Sequence, residues 1–527
     1  MTVLRPTIST AIAAADGPGM VQSVDWLAIA PVVITAAVGL LVLVADLFLP
    51  ERRKPLLGWI SVAGLAAATA TLLPLRAGDR STFCLTGPGT ADPAACSYAA
   101  DHFALVVQFL VLGGALITAL LSVTAVREAR MPAGEYWFLL LSSAAGAALL
   151  PASRDLATLI VALEVASLPA FALVGMRRGD RLSSEAALKF FLSSVTATAV
   201  SLMGVSFVYA ATGSLHLTQV ADRLESVPGQ LDTLAMAGVA LTLVGFAFKT
   251  AAVPFHFWVP DTYVGAPLPV AGYLSVIGKA VGFTGLILVT VIAFPAYSDV
   301  WGPALAVLAA LTMTLGNAAA LRQSADRPGG AVRLLAWSSV GQAGYLLVPI
   351  AAAAYAGRDQ IGSTVAYALM YAAVNLGAFA VAALVARTKP LHRLSDYRGL
   401  YAESPLAALA MAFFLLCLAG LPPGIIGLFA KVTVFRSAVD AGLGWLAVVM
   451  AVNVVIALYY YLRWTALLFR APDTDAAQEG TQQGAQPRTR TPWPVTAAIV
   501  LTAATALVLS GAPQLVLRFA SGSLFPL

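Results

Sequence analysis

The sequence predicts an all-α, polytopic membrane protein of about fourteen transmembrane helices, and three observations carry that prediction. Of 527 residues, 59% are hydrophobic and only 11% charged, whereas soluble domains carry about 25% charged residues. Mean hydropathy is +0.85. Fourteen spans of about 20 residues would occupy about 280 positions and leave only short connections.

Taken in order, the first 26 residues mix Arg5, Pro6, Asp16, Gly17 and Pro18 with small residues. They lack the unbroken apolar core of a signal peptide and read as an N-terminal outer tail, 1–26. A three-helix segment, 27–130, holds helices 1 to 3 at 27–49, 55–76 and 102–126. A first repeat, 131–295, holds helices 4 to 8 at 136–152, 154–175, 185–211, 233–260 and 267–294. A second repeat, 296–470, holds helices 9 to 13 at 300–321, 332–355, 361–387, 405–438 and 441–469. A polar, low-complexity stretch, 471–493, reads as a flexible cytoplasmic loop, and helix 14 at 494–516 lies in the final segment, 494–527. Residues 77–101 read as a Gly/Pro/Asp-rich loop carrying Cys84 and Cys96, either bridged or as two free thiols.

Basic residues set the orientation. Loops after odd-numbered helices hold most of them, among them Arg52, Arg53, Lys54, Arg127, Arg130, Arg177, Arg178, Arg327, Arg393 and Arg398. By the positive-inside rule those loops are cytoplasmic and both termini lie outside. The basic residues are scattered over many loops, which excludes a nucleic-acid-binding face. Cys84, Cys96 and Cys417 form no metal-ligand cluster, and the histidines are His102, His216, His256 and His392 alone. An iron–sulfur cluster or haem within the chain is therefore not expected, and no glycine-rich nucleotide loop follows a strand. Redox or nucleotide energy has to come from another chain.

Candidate functional residues are the charges placed where lipid should be, since one at a helix centre costs about 2.5–3.5 kcal/mol and is kept mainly where it functions or pairs. They are Glu164, Lys189, Lys249, Lys279, Lys431 and Arg463. Four of the six lysines lie in apolar segments, but of the arginines only Arg463 clearly does. Arginine does not release its proton in a protein, whereas a buried lysine can. That choice points to interior cations that change protonation state. Near helix ends, Lys189 and Arg463 also read as snorkelling side chains that orient their helices. A structural ion-pair network is the simpler account of Glu164, Lys249, Lys279 and Lys431, but four such groups are costly to keep without a use.

Prolines add a second signal. Lys249 is followed by Pro254 and Pro260, and Lys431 is preceded by Pro422, Pro423 and Gly424. Interrupted backbone at membrane depth survives only where protein or a water-filled cavity serves the freed groups. Two interrupted helices five apart, 7 and 12, fit units made of helices 4–8 and 9–13; with an odd number of helices each, the second is inverted relative to the first.

At these residues the chain resembles a known family. The run FKTAAVPFHFWVPDTYVGAPLPVAGYLSVIGKAVGF at 248–283 resembles the antiporter-like membrane subunits of respiratory complex I, a proton-translocating NADH:quinone oxidoreductase, and the PFHFW and APLPV wording is closest to its subunit N branch. ALEVASLPAFALVGMRR at 162–178, EAALKFFLSSVTATAVSLMGVSFVYAATGS at 185–214, AWSSVGQAGYLL at 336–347 and LPPGIIGLFAKVTVF at 421–435 support it. The resemblance covers helices 4 to 12.

It implies a fourteen-helix subunit with two inverted five-helix repeats, translocating protons in a bacterial inner membrane beside neighbouring antiporter-like and small membrane subunits. Flavin, iron–sulfur clusters and quinone would belong to partner subunits, with no cofactor in this chain. Carried over by motif, Glu164 is the helix 5 glutamate, Lys249 the helix 7 lysine, Lys279 the connecting lysine of helix 8 and Lys431 the helix 12 lysine. Glu164 and Lys249 would form the switch pair; at about 4 Å and an effective dielectric near 20, two unit charges attract by roughly 4 kcal/mol, enough to decide whether a buried lysine keeps its proton. Where family members commonly have histidine on helix 10, this chain has Gln342, which bonds water but carries no proton. A route past it would use water, or Ser338, Ser339 and Tyr345, with Lys189 auxiliary. Other readings are a subunit of a multisubunit cation/proton antiporter or of a membrane-bound hydrogenase, a free-standing secondary transporter, and a scaffold.

Overall fold

A computed structural model describes residues 24–87, 90–471, 491–520 and 524–525. Most of the expected N-terminal tail and of the 471–493 connection lies outside the described residues. Thirteen described segments are long and apolar enough to cross a membrane. Helices 1 to 6 are Trp26–Asp46, Glu51–Leu75, His102–Glu128, Ala133–Ala152, Leu156–Val174 and Arg181–Thr212. Helices 8 to 11 are Leu268–Ala293, Pro295–Leu321, Gly330–Ala356 and Arg358–Ala386, and helices 13 and 14 are Gly444–Phe469 and Trp493–Gly511. Helix 7 is interrupted, Gly229–Thr250 followed by Trp258–Gly265. Pro405–Ala419 and Ile426–Asp440 form an equally interrupted helix 12, the fourteenth segment.

Aspartates fix several starts. Asp25, Asp101, Asp155 and Asp180 each accept a hydrogen bond from a first-turn backbone N–H of helices 1, 3, 5 and 6. Small residues then set the spacing between helices. A Cβ at Gly316 would lie 2.4 Å from the Gly341 nitrogen, so helices 9 and 10 touch backbone to backbone. Burial sorts the spans: 94% of the central window of helices 8 and 10 is buried, against 33% for helices 1, 13 and 14. The centre of the molecule is therefore built by helices 3, 8, 10 and 11, and the rim faces outward.

Both interruptions are stitched by side chains from other helices, because each releases backbone donors with no water to serve them. The Val253 N–H donates to Thr312 Oγ1 (2.9 Å), and the Ile426 N–H to Ser510 Oγ (3.2 Å). Helix 8 carries two π-helical turns, Leu274–Gly278 and Leu288–Ala293.

The expected loop at 77–101 is instead a two-stranded antiparallel hairpin, Arg80–Gly87 paired with Thr90–Ala100. Its Gly, Pro and Asp content hides the strands in the sequence, and long-range contacts supply what propensity does not. Cys84 and Cys96 face each other across the ladder and are bridged. The hairpin is clamped to helix 1: the Arg80 guanidinium meets Asp25 at 2.8 Å, and the Tyr98 hydroxyl donates to the Ala28 carbonyl at 3.1 Å. That arginine bond holds the Asp25 carboxyl below the usual carboxylate range. A further short helix, Leu217–Leu224, joins helices 6 and 7.

Candidate functional site

Lys249 is the penultimate residue of the first half of helix 7, where the chain turns at Ala251 with φ 69°. The side chain is buried, 3% exposed. Its Nζ has no hydrogen-bond acceptor among the described atoms and lies 5.0 Å and 5.3 Å from the Phe190 and Phe171 ring centroids. Ring faces attract a cation without fixing its proton. Phe190 stacks on Trp258 at 4.3 Å, and the Trp258 Nε1–H donates to the Phe248 carbonyl at 3.2 Å, so this aromatic group also wedges the interruption.

The expected Glu164–Lys249 ion pair is not made. No ion pair within 4.0 Å joins the two groups. Glu164 is half-buried and instead accepts from Thr198 Oγ1 of helix 6 at 2.7 Å. The reason is positional: Glu164 lies beside the exposed Val161, Val165 and Leu168, on the outer flank of helix 5, while Lys249 points inward behind Phe171.

Beside Lys249 is a cavity of about 10 Å³ lined by Ser143, Ala166, Tyr273, Ile277 and Gly278, at the lower limit for one water. Its far wall is the π-helical turn that ends at Lys279. Lys279 is 1% exposed and donates from Nζ to the Tyr263 hydroxyl at 3.3 Å. Tyr263 belongs to the second half of helix 7. The Tyr371 hydroxyl donates to Ser339 Oγ at 3.0 Å. Tyr371 then lines a cavity of about 20 Å³ together with Gln342, Tyr367, Cys417, Gly427 and Lys431, room for a single water.

On its other side Lys431 is held. Its Nζ donates to the carbonyls of Leu418 (3.0 Å) and Ala419 (2.7 Å), the last two residues of the first half of helix 12. A helix C-terminus presents unpaired carbonyls and partial negative charge, so the interruption is itself a cation site. Lys249 has no such partner, and the two interrupted helices treat their lysines differently.

Gln342 sits in this line as a bridge, accepting from the Tyr367 hydroxyl and donating from Nε2 to the Tyr461 hydroxyl at 3.3 Å. Of the hydroxyls expected to carry the route past it, Ser339 meets Tyr371. Ser338 is taken up by Tyr461, and the Tyr345 hydroxyl turns to the Met450 carbonyl at 3.3 Å, away from the lysines. Lys189 is 49% exposed and ion-paired with Glu185 (2.7 Å) and Asp261 (3.0 Å), apart from the buried lysines. Arg463 is exposed, as a snorkelling residue is.

Sequence reasoning missed several participants. Tyr367, Tyr371 and Asn375 recur every fourth residue and form one inward face of helix 11; the i, i+4, i+8 spacing was the available signal. Asp261 joins Lys189 on helix 6 to Arg333 on helix 10 (3.0 Å) and ties the second half of helix 7 to both. Arg177 Nη2 donates to the carbonyls of Gly265 (2.6 Å) and Val264 (3.1 Å), capping that half-helix.

Residues 153–457 match the family described as NADH:quinone oxidoreductase/Mrp antiporter, transmembrane. NADH-quinone oxidoreductase subunit N 2 of Streptomyces griseus subsp. griseus is 75% identical over 517 residues, 97% of this chain and 96% of that protein. Subunit N of Salinispora tropica is 45% identical over 459 residues, 85% of this chain and 86% of that one. Among solved structures, a chain of respiratory complex I from Thermus thermophilus with bound aureothin is 33% identical, with TM-score 0.73 and coverage of 93% of this chain and all of that one. A chain of the Mrp complex from Dietzia sp. DQ12-45-1b shares the fold at TM-score 0.77 and 23% identity, covering 95% and 96%. With the matched segment containing Glu164, Lys249, Lys279 and Lys431, this chain belongs to the subunit N branch of the NADH:quinone oxidoreductase/Mrp antiporter membrane family.

Proposed function

We propose that protons cross this antiporter-like subunit of a bacterial NADH:quinone oxidoreductase along Lys249, Lys279, Tyr263, Ser339 and Tyr371 to Lys431, with Glu164 setting the charge state of Lys249 from the flank. The observation that carries the reading is a pair of hydrogen bonds between the lysines, Lys279 to the Tyr263 hydroxyl and the Tyr371 hydroxyl to Ser339, with Tyr371 also lining the cavity it shares with Lys431. Water-sized gaps lie beside Lys249 and beside Lys431, where a hydroxyl chain alone does not reach. Gln342 steers hydroxyl and water dipoles rather than carrying a proton.

The subunit is the non-redox part of a translocase. Flavin, iron–sulfur clusters and quinone belong to partner chains, and the driving force, above about 2.3 kcal/mol per charge for each 100 mV, comes from them. Movement of a neighbouring subunit or of helix 5 against Thr198 would bring Glu164 towards Lys249 or withdraw it, loading or discharging the lysine. Helices 4–8 and 9–13 act as the two half-channels.

Replacing Lys279 by methionine keeps the volume and removes the proton carrier. The assembled Lys279→Met complex is expected to show a lower proton-to-electron ratio in sealed vesicles; the parental ratio would refute the route. The loops around residues 180, 328, 394 and 480 face the cytoplasm and both termini face outward, a reading supported by the bridged Cys84–Cys96 pair at the opposite helix ends. Reporter fusions at those loops should all give the inner signal, and two giving the outer signal would overturn the topology.

A further inference from the structure

The geometry points to an anionic-phospholipid site, separate from the proton route, at the arginine-rich ends of helices 2, 3 and 4. A cavity of about 440 Å³ opens between Pro55 and Gly58 at the start of helix 2, Val123–Arg130 at the end of helix 3 and Pro132–Trp137 at the start of helix 4. The volume falls within the usual range of about 300–1,000 Å³ for ligand sites. Charged residues on its wall are Glu51, Lys54, Arg127, Arg130 and Arg178, four cations and one carboxylate.

The cations are not equivalent. Lys54 is already neutralised, at 2.8 Å from Glu51 and 3.5 Å from Asp46. Among the described residues no carboxylate pairs within 4.0 Å with Arg127, Arg130 or Arg178; the nearby Glu128 is committed to Arg387 at 2.8 Å, and Asp180 to Arg177 at 3.4 Å. Three uncompensated guanidinium groups around one cavity call for an anion, and the planar guanidinium fork matches phosphate oxygens. Arg130 also stands at φ 49°, the left-handed position that closes helix 3, with the Met131 N–H donating back to the Val126 carbonyl at 3.0 Å. Glycine is usual at that position, so the arginine carries backbone strain that its side chain must justify.

The occupant is amphiphilic rather than a free anion. Below the guanidinium rim the wall is apolar, with Gly58, Val123, Val126 and Trp137. The cavity lies at helix ends, and the adjoining flank of helices 1 and 2 exposes Leu40, Leu41, Val44, Leu47, Phe48 and Leu56. A phosphodiester headgroup fits among the arginines while its acyl chains continue along that flank, the arrangement of basic inter-helix pockets on the cytoplasmic side.

The test uses the whole complex, purified and reconstituted into nanodiscs of phosphatidylcholine with increasing phosphatidylglycerol, with bound lipid read by native mass spectrometry. Arg130→Gly relieves the backbone while deleting one guanidinium, so folding is preserved; Arg127→Ala/Arg130→Gly/Arg178→Ala deletes all three. The single variant is expected to weaken selective retention of phosphatidylglycerol roughly fivefold, as expected for one basic residue, and the triple variant to retain one anionic lipid fewer per complex. Inorganic phosphate at millimolar concentration should not displace the lipid. Equal retention in parent and triple variant would overturn the proposal, and so would displacement by inorganic phosphate, which marks a soluble-anion site.

Discussion

Lys249→Arg, once assembled, is expected to pump no better than Lys249→Met. Arginine keeps the positive charge and can lie against the Phe171 and Phe190 rings that now flank the ammonium, so the core should accept it. What it cannot do is give up its proton near neutral pH. A lysine needed only as a fixed cation would survive this exchange, whereas a lysine that discharges towards Lys279 would not. Methionine removes the charge and keeps the bulk, and sets the floor for comparison. Native gels establish assembly first, and the proton-to-electron ratio in sealed vesicles is then compared. An assembled Lys249→Arg complex pumping at close to the parental ratio means that Lys249 keeps its proton throughout, and the relay fails at its first step.

The second large effect is expected at a residue with no chemistry of its own. A Cβ on Gly427 would fall 1.7 Å from the Cys417 carbonyl oxygen and 2.8 Å from its carbon. Backbone cannot step aside as a flexible side chain can, so in Gly427→Ala the two halves of helix 12 must separate. Lys431 lies one turn further along and reaches the Leu418 and Ala419 carbonyls at 3.0 and 2.7 Å, contacts that do not survive such a shift. Overpacking of this kind costs about 1–3 kcal/mol, occasionally more. The expected result is reduced incorporation of the subunit, measured by quantitative mass spectrometry of the purified complex, and loss of pumping in whatever assembles. Gly113→Ala is the control, since its Cβ would meet nothing within 4 Å. If Gly427→Ala assembles and pumps like the parent, the close contact at the interruption does not position Lys431.

The spans were legible because the bilayer imposes a length and an apolar composition that few other folds satisfy. The interruptions were legible through Pro254, Pro422 and Pro423, and the lysines through their cost in an apolar run. Which face of each helix turns inward was not, because a helix apolar all round offers no stripe to read. Tyr367 and Tyr371 passed as ordinary apolar-segment residues for that reason, though their spacing with Asn375 marks the inward face once the helix is seen at the centre. Glu164 and Lys249 stand 85 residues apart, a spacing that says nothing of distance, and the assumed contact between them fails because one lies on the flank and the other behind a phenyl ring. The hairpin was missed because Gly87, Asp92 and Pro93 read as loop signals beside the short strand-forming run at Thr82 and Phe83.

That hairpin has a consequence for biogenesis. On the topology proposed above, with the hairpin outside, Cys84 and Cys96 meet an oxidising compartment only after the segment between helices 2 and 3 has crossed the membrane. The Arg80 and Tyr98 contacts then draw the hairpin onto the start of helix 1. The bridge is thus a chemical record of completed insertion: a chain whose first three helices enter in the wrong order, or stop short, keeps two reduced thiols. A cell lacking extracytoplasmic thiol oxidation would deliver the lysine-bearing core intact while leaving this outer fastening open.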